Sequence, residues 1–219
     1  MDQELKDSIL KTGTTVIGIV CKDGIVMASD RQVTGGHSLV VDKEFQKTNK
    51  VNDYLLISWA GQVSGAQRLS KLIAAELKIK ELKSRSRPSV KQAVNLVSSI
   101  SYSTLRQPSM IPNIVEIFMG GINEDGTTEL YDISADGALI KIKDYLATGS
   151  GMPYVLGLLE RQWKKGLSIE EGVELAKEAL KSSTQRDVFS GYGIDIFTIT
   201  KEGIKKVVEQ TIESEYKDQ

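Results

Sequence analysis

The spacing of hydrophobic positions changes several times along the chain, and each change predicts a different element. Two short runs rich in β-branched residues, at 16–21 and 24–29, flank Lys22-Asp23 and predict a β-hairpin. Residues 54–60 predict a further strand. Over residues 63–83 apolar side chains recur close to every 3.6 positions, which is typical of an amphipathic helix.

The second part of the chain repeats this alternation of strands and helices. A helical pattern begins near Pro88, includes Leu105, and ends before Pro108 and Pro112. Ser168 and Glu171 form a capping-box motif at the start of a later helix. The remaining predicted strands are 114–122, 128–133, 139–142, 194–200 and 204–208, and the remaining helices are 151–165 and 168–183. This order favours an α+β fold in which two sheets pack face to face with helices outside.

Composition limits the classes of function that fit the chain. Its 219 residues and 40% hydrophobic content are ordinary for one globular domain. The net charge of −1, from 28 basic and 29 acidic residues, argues against a nucleic-acid partner. A single cysteine, Cys21, excludes a disulfide framework and a cysteine-based zinc site, and a buried strand position suits it. We expect neither metal nor cofactor.

The sequence also predicts where the protein works. The first 11 residues are too charged for a secretory signal, and no apolar run reaches the roughly 18 residues of a membrane helix. We therefore expect a cytoplasmic protein without a membrane partner.

The most informative segment chemically is Gly13-Thr14-Thr15. If the Gly13–Thr14 bond is cut, Thr14 carries both a hydroxyl nucleophile and an α-amine base. Such an amine has a pKa of ~7.7–8 in model peptides, close enough to neutral pH to accept the hydroxyl proton. Gly13, without a Cβ, lets the Thr14 hydroxyl approach the preceding carbonyl. A Ser/His/Asp triad would have to use His37, the only histidine, which lies in a predicted loop and is more typical of a surface residue.

Several separated motifs follow this segment in a fixed order. They are Ala28-Ser29-Asp30-Arg31, Ala60-Gly61, Gly120-Gly121, Gly149-Ser150-Gly151, Gln185-Arg186-Asp187 and Ser190-Gly191. With them, the chain from Thr14 to about Val208 resembles the β subunit of the 20S proteasome, most closely the archaeal form, among the N-terminal-nucleophile hydrolases. The resemblance implies a four-layer αββα sandwich. It also implies a threonine endopeptidase matured by autocatalytic cleavage at Gly13–Thr14, with residues 1–13 as leader and 14–219 as a single domain.

The resemblance assigns the catalytic acid and a lysine beside the threonine. Asp30 occupies the position of the acid that pairs with the lysine, although a strand-end aspartate is by default a turn residue. The local sequence offers Lys43, Lys47 and Lys50. Aligning the segment around Lys50 selects Lys47 and requires one extra residue near Gly35-Gly36-His37. The lysine would favour the Thr14 alkoxide electrostatically.

Other positions are implied to support the reaction or to bind substrate. Gly61 would give its N–H to the oxyanion, although it could also be a turn glycine between strand and helix. Ser150, Asp187 and Ser190 match residues that surround the threonine amine. Val33, Trp59 and Val63 would line the pocket for the substrate side chain before the scissile bond. The large Trp59 indole predicts a shallow pocket, unless it points into the core.

The resemblance also implies partners, and it leaves two alternatives. The subunit would form homo- or heteroheptameric β rings capped by α rings, with a regulatory ATPase at the α rings and unfolded polypeptide as substrate. One alternative is the peptidase of the bacterial two-component heat-shock protease, which shares the Thr-Thr start but usually has a shorter chain. The other is an unprocessed, structural or regulatory β-ring subunit that supports an active paralogue. Gln32, where arginine is common, departs from the family pattern.

Overall fold

A computed structural model describes residues 13–35 and 39–212. In this part of the chain the strands are β1 (Val16–Cys21), β2 (Gly24–Asp30), β3 (Val33–Gly35), β4 (Leu39–Asp42), β5 (Thr48–Lys50), β6 (Leu55–Gly61), β7 (Val115–Ile122), β8 (Thr128–Ile133), β9 (Leu139–Ile142), β10 (Tyr145–Thr148), β11 (Gly193–Thr200) and β12 (Gly203–Thr211). The helices are α1 (Val63–Ser84), α2 (Val90–Leu105), α3 (Met152–Gln162) and α4 (Ile169–Arg186).

Ten of these strands form two antiparallel five-stranded sheets. The first sheet has the order β10-β1-β2-β11-β12 and the second β5-β6-β7-β8-β9, while β3 and β4 form a separate hairpin. The predicted β1–β2 hairpin is confirmed, with Val16 opposite Ser29. Because this register places the start of β1 beside the end of β2, Thr15 and Asp30 lie side by side.

Alternating side chains of the first sheet enter two different cores. Ile17 and Ile19 of β1 pack in a cluster with Val155 of α3 and Leu175 of α4. Val16, from the opposite face of β1, belongs to the cluster that contains residues of the second sheet and of α1 and α2. Since strand side chains alternate between faces, the layers run α3/α4, first sheet, second sheet, α1/α2. The predicted four-layer αββα sandwich is confirmed.

Local sequence signals account for the starts of two helices, α2 and α4. Ser168 caps α4, and Glu171 returns the hydrogen bond, as the capping-box motif predicts. Ser89 and Gln92 form a second capping box at the start of α2, one residue after Pro88. No helix in the described part of the chain combines the length and apolar character that a membrane span requires.

Four strands were not predicted from the sequence. They are β3, β4, β5 and β10, each of three or four residues. β5 and β10 lie at the edges of the two sheets, where pairing with one neighbour rather than a periodic apolar pattern defines the strand. The extra strand β10 carries the chain from the second sheet back to the first, directly before the Gly149-Ser150-Gly151 motif.

Candidate active site

Thr14 lies two residues before the start of β1 and is buried between the motifs that the sequence singled out. Its Oγ1 donates a hydrogen bond to the Gly13 carbonyl at 2.5 Å, so the hydroxyl lies beside the bond predicted to be cut. Its backbone nitrogen donates to Ser150 Oγ at 3.1 Å. The nitrogen that would become the free amine therefore already has a polar partner, in the turn that follows the neighbouring strand β10.

Asp30 and Lys47 form a buried ion pair next to this segment. Lys47 Nζ lies 2.7 Å from Asp30 Oδ1, and the two residues are 1% and 0% exposed. The same Oδ1 accepts a hydrogen bond from Thr15 N at 2.9 Å. Asp30 thus connects the lysine to the backbone of the Thr14-Thr15 segment. The other two candidate lysines, Lys43 and Lys50, are exposed.

Two more backbone donors hold the Asp30 carboxylate. Its Oδ2 accepts from Gln32 N at 3.0 Å and from Gly191 N at 3.1 Å. Together with Thr15 N, three backbone N–H groups and the Lys47 side chain therefore hold the Asp30 carboxylate in one orientation.

Burial lowers the pKa of Lys47, and the attraction and hydrogen bond of Asp30 oppose that shift. The net direction is downward because a fully buried ammonium loses its hydration. A lysine with a lowered pKa gives up a proton more readily than a surface lysine, while Asp30 keeps it fixed in place. Such a lysine, linked through Asp30 to the Thr14-Thr15 segment, is a candidate for acting on the Thr14 hydroxyl.

A second polar network surrounds the other side of Thr14. Ser150 Oγ donates to Asp187 Oδ2 at 2.6 Å, and Ser190 Oγ donates to the same oxygen at 2.7 Å. Ser190 Oγ also lies 2.8 Å from Thr15 Oγ1. The structure therefore brings the predicted Ser150, Asp187 and Ser190 together around the threonine pair.

Gly61, at the end of β6, has a φ of +121°, a backbone conformation that residues with a side chain rarely adopt. A Cβ added there would lie 2.3 Å from the Ile114 carbonyl oxygen. Gln62 N donates to Ile114 O at 3.1 Å. Since N–H groups of an antiparallel strand alternate in direction, the Gly61 N–H points away from β7. It is thus not used by the β6–β7 ladder.

Gly61 and Ser150 line one cleft of about 330 Å³. The other lining residues of this cleft are Ala60, Gln62, Pro112, Ile114, Glu116, Ala135, Thr148 and Gly149. Gly61 and Ser150 therefore line the same cleft, and Ser150 connects that cleft to the Thr14 nitrogen.

The three predicted pocket residues lie differently. Trp59 is 3% exposed, and its ring lies 5.6 Å from that of Phe45 in an edge-to-face contact. Val33 and Val63 are partly buried. Burial of the indole favours the alternative in which Trp59 is a core residue, and its role in a substrate pocket stays a prediction.

Three residues near Thr14 were not predicted as parts of the site. Thr34 Oγ1 accepts from Gly13 N at 3.5 Å, Gln32 Nε2 donates to Val188 O at 2.9 Å, and Phe189 packs on Gly13. Of these three residues, the sequence singles out only Gln32, as a departure from the family pattern. Residues 1–12 of the predicted leader, and Gly36 and His37 beside the expected insertion, lie outside the described residues.

Comparisons with known proteins identify the family of the chain. A family model described as "Proteasome subunit" matches residues 10–199. A "Proteasome subunit beta" of Nanoarchaeum equitans is 41% identical over 194 residues, which cover 89% of this chain and 96% of the relative. Proteins with the same description from Methanopyrus kandleri and Methanocaldococcus jannaschii are 35% and 36% identical, over 93% and 92% of this chain and 95% and 88% of their own lengths. The chain belongs to the proteasome subunit family.

Proposed function

We propose that this protein is a threonine-type endopeptidase, the catalytic β subunit of a 20S proteasome core particle. The observation that carries the proposal is the position of Thr14 between two networks. Its nitrogen contacts Ser150, and the next residue shares the Asp30 carboxylate with Lys47. These are the partners that a threonine needs if its hydroxyl is the nucleophile and its own amine the base.

The first reaction is self-cleavage between Gly13 and Thr14. Thr14 Oγ1 attacks the Gly13 carbonyl carbon, the C–N bond breaks, and the hydroxyl proton ends on the departing nitrogen. Water then hydrolyses the resulting ester, which releases residues 1–13 and leaves Thr14 with a free amine. The 2.5 Å approach of Oγ1 to the Gly13 carbonyl oxygen supports this step, because the reacting groups are already adjacent.

The second reaction is hydrolysis of a peptide substrate. The Thr14 amine accepts the Oγ1 proton as the oxygen attacks the substrate carbonyl, and the amine side of the substrate leaves with a proton. Lys47 stabilises negative charge on Oγ1, and the Gly61 N–H stabilises the tetrahedral oxyanion. Water then hydrolyses the acyl ester and regenerates the hydroxyl.

Assembly with other subunits is part of the proposal. The relatives are described as proteasome β subunits, and several large apolar side chains of this chain are exposed, which suits further contacts. Among them are Leu39, Val41, Met110 and Val188, at 66–80% exposure. We propose heptameric β rings, homo- or heteromeric, capped by α rings in the cytoplasm, with a regulatory ATPase that delivers unfolded polypeptide.

The experiment compares three chains assembled with α subunits: the parent, Thr14→Ala and Thr14→Ser. Thr14→Ser keeps a hydroxyl and an amine on one residue, so it is the matched control. The proposal expects hydrolysis of fluorogenic peptides by the parent and Thr14→Ser, and at least a 10³-fold loss in Thr14→Ala. Equal activity of Thr14→Ala and parent would contradict it. An inactive parent that keeps residues 1–13 in assembled particles would instead support the structural-subunit alternative.

A further inference from the structure

Gly13 is buried against the side chain of Phe189. A Cβ built on Gly13 would lie 1.6 Å from Phe189 Cβ, 2.5 Å from its Cγ and 2.9 Å from its Cα. These are the three nearest heavy atoms, and each distance is below the 3.0 Å that real Cβ atoms essentially never show. Phe189 thus occupies the space that any larger residue at position 13 would need.

The segment that carries Phe189 is fixed on both sides. Phe189 N donates to Asp187 Oδ1 at 3.2 Å, and the preceding carbonyl, of Val188, accepts from Gln32 Nε2 at 2.9 Å. On the other side, Gly191 N donates to Asp30 Oδ2 at 3.1 Å. Asp30 also binds Thr15 N, and Asp187 binds the Ser150 and Ser190 hydroxyls that contact Thr14 and Thr15. A shift of the backbone at residue 189 would therefore disturb the site itself.

The contact has a direct consequence for the bond between residues 13 and 14. The hydroxyl of Thr14 lies 2.5 Å from the Gly13 carbonyl oxygen, so any residue that shifts position 13 also shifts the carbonyl under attack. A displacement of about 1 Å of a reacting group costs on the order of 10²-fold in rate. A clash as close as 1.6 Å requires a shift of that size.

We propose that Phe189 is a positioning residue for self-cleavage: it holds the Gly13 carbonyl against Thr14 Oγ1 and restricts the residue before the cut to glycine. The inference rests on the proposed self-processing. The restricting atom is the Cβ of residue 189, because the closest approach, 1.6 Å, is between the two β-carbons. Shortening Phe189 to alanine therefore leaves the closest clash in place, whereas glycine leaves only the 2.9 Å approach to Cα, which a much smaller shift relieves.

The test measures leader removal by intact mass over time in particles assembled with α subunits. Gly13→Ala should slow removal about 10²-fold. Gly13→Ala/Phe189→Ala should remain slow, and Gly13→Ala/Phe189→Gly should recover to within about tenfold of Phe189→Gly alone. A merely structural role of Phe189 would give no such rescue, because each loss would add to the other.

Two results would overturn the inference. One is Gly13→Ala processing at the parent rate. The other is a Gly13→Ala/Phe189→Gly chain that is no faster than Gly13→Ala/Phe189→Ala. Thr14→Ala is the separate control for self-processing: if it loses residues 1–13 normally, the proposed function fails rather than the role of Phe189.

A structural measurement covers the case in which Phe189→Gly does not assemble. In the assembled Thr14→Ala precursor, residue 13 should contact Phe189, and adding Gly13→Ala should displace the residue 13 carbonyl by about 1 Å or more. Density that shows the carbonyl unmoved, with the Phe189 side chain turned away, would refute the positioning role.

Discussion

Replacing Lys47 by methionine tests the assignment of the reactive lysine. Methionine fills similar volume without a charge, so the substitution removes the ammonium that lies 2.7 Å from Asp30 Oδ1. Loss of one partner of a buried ion pair typically costs about 3–5 kcal/mol of unfolding free energy. Because Thr15, Gln32 and Gly191 still donate N–H groups to Asp30, we expect the lower end of that range.

The effect on activity should exceed the effect on folding. A group that assists proton transfer and stabilises charge at the nucleophile contributes on the order of 10²–10⁴-fold in rate. We expect Lys47→Met to lower kcat by about 10³-fold, with KM for a peptide changed much less, since the proposed role of the lysine is to stabilise charge on the reacting Thr14 oxygen rather than to bind substrate.

The assay uses particles whose β chain is produced with Thr14 already at its N-terminus, so that processing is not limiting. Lys43→Met and Lys50→Met are matched controls, because both lysines are exposed. Asp30→Asn/Lys47→Met removes the unpaired carboxylate and should regain stability without regaining activity. Near-parent turnover in Lys47→Met, together with loss in Lys43→Met or Lys50→Met, would refute the reasoning.

Three further predictions concern other sites. Trp59→Ala should lower the unfolding free energy, measured in denaturant titrations, by about 3–5 kcal/mol, and should reduce hydrolysis of every peptide in a panel to a similar extent. A selective increase in hydrolysis of peptides with bulky side chains before the cut would instead support the pocket role. Burial and Glu116 raise the pKa of Asp132 to about 7, so the native state binds its proton more tightly and loses stability as pH rises from 3.8 to about 7. Asp132→Asn should remove this loss, giving on the order of 1–3 kcal/mol more stability than the parent at pH 8 but not at pH 4, as measured by denaturation at both values. Ser150→Ala should slow peptide hydrolysis about 10- to 100-fold in steady-state assays, since the Thr14 nitrogen loses its partner.

Most of the fold could be predicted from local signals. The β1–β2 hairpin has a two-residue turn between β-branched runs, and the capping box at Ser168 marks the start of α4. The β5 strand, Thr48–Lys50, has neither length nor an apolar pattern. It exists because β6 offers it a hydrogen-bonding edge, which is a property of the folded chain.

The site was predictable where residue type carries the chemistry. The segment around Thr14 marks it as the candidate nucleophile, and the resemblance selected Asp30 and Lys47. The structure brings these two together from the end of β2 in the first sheet and from the residue directly before β5 of the second. The contact of Phe189 with Gly13 was not predictable. It depends on two chain segments 176 positions apart meeting at van der Waals distance, and neither residue carries a reactive group that would signal it.

The central claim is that Thr14 becomes the catalytic N-terminus through its own hydroxyl. The most direct measurement is the intact mass of the chain in particles assembled with α subunits, for the parent and for Thr14→Ala. We predict that the parent loses residues 1–13 and begins at Thr14, while Thr14→Ala assembles with the leader still attached. A parent chain that keeps the leader in active particles, or a Thr14→Ala chain that loses it at the parent rate, would contradict the claim.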